Sequence, residues 1–336
     1  MTMKLGLVYD LRDDYLALGY SGEATAEFDS RETIEALEDA LQRLGWDVVR
    51  VGRGVELARR LAAGDRFDLV FSIAEGLKGR SREAQVPALC ELFDQPYAFS
   101  DPLTMSVTLD KAVAKRIVRD HGIPTAPFVV MHSGKDSVAD AVFPAFVKPM
   151  AEGTGKGCTR TSMVHSQKEL QSQASRLIAE FKQPVIAEAY LPGREFTVGI
   201  IGTDASARII AIMEIAISNH ADDSIYSYEI KEDWEPYVDL SLVGDPEAKV
   251  AGERALQAYQ ALQCRDAGRV DMRSDALGSP QFLELNPIAG LHPTHSDLPI
   301  LTTKVGLDYD WLIAEIVSAA CRRYDLQPPH RSAEAA

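Results

Sequence analysis

Two short segments, Gly268-Arg269-Val270-Asp271-Met272 and Phe282-Leu283-Glu284-Leu285-Asn286-Pro287, constrain this chain more than any other stretch. A turn-rich connection over residues 274–279 joins them, which predicts an antiparallel hairpin. Side chains alternate across a strand, so Glu284 and Asn286 point the same way. With Leu277-Gly278 as the tip, Asp271 falls opposite Glu284, and Arg269 shares its face. Hard oxygen donors in an open cluster suit Mg²⁺, which keeps waters and is shared with substrate phosphates. The alternative is an ordinary sheet face of solvated charges.

The rest of the chain narrows this choice. Its 336 residues are 46% hydrophobic and 25% charged, a globular composition long enough for two or three domains. The net charge of −15 argues against a nucleic-acid partner, which needs clustered Lys and Arg, but leaves room for a local nucleotide site. Cys90, Cys158, Cys264 and Cys321 are far apart without metal-ligand spacing, as expected of reduced thiols in a cytoplasmic protein. No run of 18 apolar residues occurs, and Met1-Thr2-Met3-Lys4 leads straight into a strand, so neither a signal peptide nor a membrane span is expected.

Strand and helix patterns alternate over the first hundred residues: strands at 4–10, 47–51 and 67–73, helices at 30–44 and 55–63. This predicts a doubly wound parallel sheet, whose ligands bind beyond the strand ends at Tyr9-Asp10-Leu11 and Ala74-Glu75-Gly76. A helix over 108–121 opens a middle segment. A strand at 145–148, the loop Glu152-Gly153-Thr154-Gly155-Lys156-Gly157 and a helix at 167–181 complete it. A third part opens with residues 184–190 and holds strands at 195–201 and 207–214, the hairpin, and helices at 247–262 and 309–324. The expected division is therefore 1–101, 102–184 and 185–327, with 328–336 a frayed tail.

Gly153, Gly155 and Gly157 make a loop whose amides can approach a phosphate, although a plain flexible connection would read the same way. It matches neither the P-loop nor the dinucleotide fingerprint. Lys148 ends an apolar strand, where a cation is costly unless it meets an anion. Lys111, on a helix, reads by itself as a solvated lysine.

Together these segments resemble the ATP-grasp superfamily, and within it the D-alanine–D-alanine ligases. The likeness is carried by LDKAVAKRI, FPAFVKP, EGTGKG, IAEAYLPGREFTVGIIG, SYEIKED, GRVDM and FLELNPIAGLHPTHSDLP, which run in the family's order from about residue 109 to 299. The resemblance implies an α/β, three-domain ATP-grasp fold with an N-terminal doubly wound domain. It implies that Lys111 and Lys148 bind the nucleotide phosphates under the loop of Gly153, Thr154, Gly155 and Gly157. Glu188 would receive the adenine amino group, the Ala189 and Leu191 backbones would read the base edge, and Tyr190 would pack on the ring. Glu195 would hold the ribose hydroxyls. Asp271, Glu284 and Asn286 would bind two Mg²⁺ ions, with Mn²⁺ as a substitute. Arg269 would stabilise the charge of an acyl phosphate, and Lys231 would come from a mobile loop over the site. Gly290 and Ser296 would hold the acceptor's carboxylate. A homodimer is implied as well.

Departures gather in the substrate half. The family's Glu-x-x-x-Ser signature is replaced by Glu27-Phe28-Asp29-Ser30, with Glu27 one residue out of register. Its His-Gly segment becomes Ala74-Glu75-Gly76, followed by Arg80 and Arg82. Glu75, Arg80 and Arg82 are therefore candidate substrate-binding residues; the two arginines could grip a carboxylate bidentately or form a surface pair with Glu75 and Glu83. The aromatic residue that usually follows the loop lysine is Glu232. The expected activity is an ADP-forming carboxylate–amine ligase joining two amino acids, D-alanine by default. Alternatives are a ligase for another amino acid or small carboxylate in secondary metabolism, or a non-catalytic nucleotide-binding protein. A Rossmann dehydrogenase is excluded, because no G-x-G-x-x-G follows the first strand.

Overall fold

A computed structural model describes residues 3–217 and 238–329; residues 218–237, which include Lys231 and Glu232, and residues 330–336 lie outside the described residues. The N-terminal part runs β1 (Lys4–Val8), α1 (Arg12–Ala17), α2 (Arg31–Arg43), β2 (Asp47–Gly52), α3 (Gly54–Ala62), β3 (Leu69–Ser72) and α4 (Gln85–Leu92). Its strands form the expected parallel sheet in the order β2-β1-β3. Helix α2 illustrates the local logic. The Ser30 hydroxyl accepts the Thr33 N–H at its start, and Ile34, Leu37 and Leu41, three and four residues apart, make one buried face.

The middle segment holds α5 (Pro102–Leu109), α6 (Lys111–Asp120), β4 (Phe128–Met131), β5 (Ala145–Pro149), β6 (Met163–Val164), α7 (Gln167–Phe181) and β7 (Val185–Ala189). The one helix expected over 108–121 is two, because Asp110 is extended and its carboxylate caps α6 by accepting the Val113 N–H at 3.1 Å. Lys111 thus becomes the first residue of a helix rather than a mid-helix position. Strands β4 to β7 form an antiparallel sheet in the order β4-β7-β5-β6. Residues 185–189, expected to open the third part, therefore pair within the central sheet, between β4 and β5.

The remaining elements are β8 (Glu195–Ile201), β9 (Arg208–Ile217), β10 (Val238–Leu242), α8 (Pro246–Ala261), β11 (Ala267–Ser274), β12 (Pro280–Asn286), α9 (Asp297–Lys304) and α10 (Tyr309–Arg323). The strands order as β10-β9-β8-β11-β12, all antiparallel. The Asp271–Glu284 pairing is as the hairpin predicts, but it arises differently. The register shifts between Asp271 and Met272, so that Met272 pairs with Phe282 and Leu283 is the extra residue of a bulge. Phe282 consequently turns into the core beside Val270 and Met272, while Leu283 and Glu284 both face the cleft.

The chain order does not confine each core to its own part. Leu312, Ile316 and Cys321 of α10 share a buried cluster with Leu5, Leu37 and Phe71 of the N-terminal sheet and its helix. Fully buried Asp266 ties these regions together. Its carboxylate accepts the Phe99 N–H at 2.8 Å, the Thr203 hydroxyl at 3.2 Å and two Arg323 bonds at 2.6 and 3.0 Å. Removing one partner of a buried ion pair strands the other, so Asp266→Asn should cost about 3–5 kcal/mol. A calorimetric scan should show a lower Tm; an unchanged Tm would mean that this junction does not hold the chain's two ends together.

Candidate active site

The cleft between the central and C-terminal sheets contains two adjoining cavities. One, of about 130 Å³, is lined by Phe146, Lys148, Gly155, Cys158, Glu188, Ala189, Tyr190, Leu191, Glu195, Asp271, Arg273 and Leu283, among others. The other, of about 350 Å³, opens toward the N-terminal sheet and includes Glu27, Glu75, Arg82, Glu83, Arg269, Asn286, Gly290 and Ser296 in its wall. Lys111, Glu152 and Glu284 line both.

The smaller cavity is built around a buried carboxylate. Glu188 of β7 is 3% exposed and lies 3.3 Å from the Lys115 ammonium and 3.4 Å from that of Lys148. Burial alone would raise the Glu188 pKa, but the two lysines hold it below the ordinary range. Burial lowers the Lys115 pKa to about 8 despite Glu188. Lys148 is also buried, yet Glu188 and Glu284 keep its pKa above the usual lysine value. Lys115 also donates to Thr125 and to the Phe282 carbonyl, each at 3.0 Å, which anchors β12 against α6. At the rim, the Ala189 N–H donates to the Pro127 carbonyl and the Tyr190 N–H to that of Pro144. Neither proline has an N–H to return, so the Ala189 and Tyr190 carbonyls lie outside the strand ladder on those sides.

At the shared wall, Lys111 is 8% exposed rather than solvated. Its ammonium donates to the Glu152 carbonyl at 2.6 Å and stands 3.4 Å from Glu284. The hairpin brings Asp271 opposite Glu284. The Asp271 carboxylate accepts the Thr197 hydroxyl at 2.7 Å, an Arg269 bond at 3.1 Å and an Asn286 amide bond at 3.5 Å. Two carboxylates and an amide oxygen on neighbouring strands are a hard-oxygen donor set, and they fit Mg²⁺. Among the described residues no group of three or more His, Cys, Asp and Glu is placed to hold a metal ion by itself. A metal here would complete its shell with water and phosphate oxygens. Arg269 also donates to Asp297 at 2.6 Å, and its Nε is buried without a partner.

The glycine loop turns back over this wall. Thr154, Gly155 and Gly157 all have positive φ, and a side chain at Gly157 would strike Pro149 and Phe181. The Gly153 N–H donates to Glu27 at 2.5 Å, and Lys156 lies 3.1 Å from Glu152 and 3.8 Å from Glu27. Glu27 is also bonded to Arg82, which reaches Glu83 at 3.3 Å. Glu83 in turn shares a hydrogen bond with Glu75. Burial raises the Glu75 pKa well above the carboxylate range, and Glu83 and Glu27 add to it. In the turn before α9, the Ser296 hydroxyl accepts the His292 N–H at 3.0 Å. Gly290 leaves room for it, since a Cβ there would lie 2.6 Å from that oxygen.

The structure therefore brings together Lys111, Lys148, Gly153, Thr154, Gly155, Glu188, Ala189, Tyr190, Leu191, Glu195, Arg269, Asp271, Glu284, Asn286, Gly290 and Ser296, with Glu75 and Arg82. Gly157 packs behind the loop. Arg80 lines neither cavity: its exposed side chain bonds Asp110 at 2.6 Å in an adjoining cleft that shares Glu27, Arg82 and Glu152 with the larger cavity. Arg82 is buried rather than part of a surface pair. Lys231 lies outside the described residues. Sequence reasoning gave no site role to Lys115, Glu83, Glu152 or Arg273. The alternation that places Arg269 beside Asp271 would also have flagged Arg273, two residues further on.

A family model described as D-ala D-ala ligase C-terminus matches residues 117–318. The chain belongs to the D-alanine–D-alanine ligase family. It is 33% identical over 322 residues to the D-alanine–D-alanine ligase of Bordetella petrii, covering 93% of this chain and 95% of that one. It is also 33% identical over 266 residues to the uncharacterized protein y4sG of Sinorhizobium fredii, 76% of this chain and 75% of that one. The fold is shared with the Bacillus anthracis D-alanine–D-alanine ligase complexed with ATP, at a TM-score of 0.72, 22% identity, and 96% and 99% coverage. The VanG D-Ala:D-Ser ligase of Enterococcus faecalis gives 0.72, 19%, and 95% and 100%. The architecture is that of an ATP-grasp enzyme, and the chain is an ATP-dependent ligase that forms C–N bonds.

Burial pushes the Glu83 carboxyl up to about 7, against the pull of Arg82 and with Glu27 adding to the rise. A carboxyl raised in the folded state contributes stability that is full below its unfolded value, about 4.3, and is lost as pH rises through the folded value. Glu83→Gln should therefore gain stability relative to wild type between about pH 5 and pH 8, by on the order of 3 kcal/mol across the window. Urea melts at stepped pH read this directly, and parallel curves for the two proteins would place the shared proton elsewhere.

Proposed function

We propose that the chain joins two amino acids through an acyl phosphate, with ATP in the smaller cavity and the amino acids in the larger one. The observation that carries this reading is the shared wall: Lys111, Glu152 and Glu284 line both cavities, where a phosphoryl group would pass from nucleotide to carboxylate. Lys148 and Lys111 hold the phosphates, and the loop from Gly153 to Gly157 covers them. Glu188, the Ala189 and Leu191 backbones, Tyr190 and Glu195 receive the nucleoside.

The donor carboxylate oxygen attacks the γ-phosphorus and ADP leaves, giving an acyl phosphate. The acceptor amine then attacks the acyl carbon, loses a proton, and phosphate leaves with the C–O bond's electrons. Arg269, fixed by Asp271 and Asp297, faces the oxyanion of that tetrahedral intermediate. Gly290 and Ser296 hold the acceptor's carboxylate. Asp271, Glu284 and Asn286 would hold two Mg²⁺ ions, which when bound neutralise phosphate charge during transfer. Lys231 belongs to this set by resemblance. An ATP-using chain with none of its four cysteines in a disulfide supports a cytoplasmic setting, and family likeness supports a homodimer.

D-alanine is the default for both sites, in line with the B. petrii relative. One observation favours a different donor amino acid or small carboxylate. Glu27 is held by Arg82 and the Gly153 N–H, while Glu75 and Glu83 present a carboxyl pair to the donor side. The deciding experiment is ADP release with Mg-ATP and D-alanine, followed by mass spectrometry of the product. D-alanyl-D-alanine settles the default, and turnover only with other amino acids moves the donor assignment. Asp271→Asn should lower kcat at least a hundredfold while nucleotide binding persists, since positioning and charge neutralisation supply most of the catalysis. Near-normal turnover in that variant would remove Asp271 from the reaction.

A further inference from the structure

Strand β11 presents a third charged residue to the cleft, on the same face as Arg269 and Asp271. Arg273 pairs across the sheet with Glu195 and donates to its carboxylate at 3.1 Å. Its other terminal nitrogen donates to the Tyr190 hydroxyl at 3.2 Å, and the guanidinium lies 5.2 Å from the centre of that ring. The side chain is 18% exposed, and Nε is buried with no acceptor. A surface ion pair would keep its donors in water, and a buried orphan donor costs about 1–3 kcal/mol. An arginine kept here at that cost, in the wall of the nucleotide cavity, points to a role beyond a salt bridge.

We propose that Arg273 is a nucleoside-positioning residue: from β11 its planar fork holds the Glu195 carboxylate and the Tyr190 ring in one arrangement, which makes nucleotide selection depend on the ribose hydroxyls. This rests on the reading that the smaller cavity takes ATP. Glu195 and Tyr190 start on different segments, β8 and the turn after β7, and Arg273 is the side chain that bonds both. With the carboxylate fixed, a ribose hydroxyl meets an acceptor that has no rotamer freedom left to lose. Lysine could pair with Glu195 but could not stack on Tyr190 and bond both groups from one plane.

The test compares steady-state KM for Mg-ATP and Mg-2′-deoxy-ATP, with the amino acids saturating, in wild type, Arg273→Met and Arg273→Lys. Wild type should show a KM about tenfold higher for the deoxynucleotide, the worth of one charge-assisted hydrogen bond. Arg273→Met should raise the ATP KM about as much, bring the two KM values within about twofold, and leave kcat and the amino-acid KM near wild type. Arg273→Lys should restore part of the discrimination. A Met variant that keeps the wild-type ratio, or a wild type indifferent to the 2′-hydroxyl, would overturn the proposal. So would a Met variant with a lower ATP KM, because Arg273 would then compete with the ribose for Glu195. If the Met variant does not fold, the Lys variant decides, and a wild-type ratio there is equally fatal. Wild type that neither binds nor turns over ATP defeats the ligase reading instead, which keeps the two failures apart.

Discussion

A single carboxylate, Glu188, shut away from water between Lys115 and Lys148, sets the geometry of the smaller cavity. Neither lysine is stable there without it, and it is not stable without them, because an unpaired buried charge costs several kcal/mol. The three side chains come from α6, β5 and β7, and Lys115 also reaches the Phe282 carbonyl of β12. The charge requirement therefore fixes the central sheet against the C-terminal sheet. The position of Lys148, the rim at Ala189 and Tyr190, and the approach of β12 all follow from it.

The amino-acid side is organised on a different principle. A continuous line of contacts runs from Glu75 through Glu83, Arg82 and Glu27 to the Gly153 amide and Lys156. Its members alternate in charge except at the Glu75–Glu83 end, where a hydrogen bond replaces an ion pair. A carboxyl pair can stay close only by sharing a proton or by meeting a cation, so the electrostatic state of the larger cavity depends on what enters it. The same line ends on the glycine loop, so the larger cavity and the loop beside the smaller one are joined by direct contact.

Much of this was legible in the sequence because it depends on local rules. Alternation and a short turn suffice to place Asp271 opposite Glu284, and the order of seven motifs suffices for the family. The five-residue turn and the compensating bulge were not legible, since a bulge changes facing without changing composition. Lys111, which by itself reads as a solvated lysine and which only the resemblance sets among the phosphate-binding residues, is buried for a related reason. Its burial depends on Asp110 breaking one expected helix into two, which puts the lysine at a helix start facing the Glu152 carbonyl. Arg82 and Arg80 could not be told apart at all. Only Ser81 separates them in sequence, but one is drawn in by Glu27, a partner far along the chain, and the other lines neither of the two cavities.

These failures share a cause that bears on specificity. Lys148, Glu188, Asp271, Glu284 and Asn286 lie on paired strands, where register and facing follow from periodicity. Glu27, Glu75, Arg82 and Glu83 lie instead in the loops after β1 and β3, where position is set by long-range charge pairing. Machinery on strands tolerates little variation, because shifting one residue flips its neighbours to the other face. Loop-borne carboxylates and arginines can be exchanged with only local rearrangement. A change of amino-acid substrate in this fold is therefore physically easiest at Glu27, Glu75, Arg82 and Glu83, with Lys148, Glu188 and the hairpin left as they are.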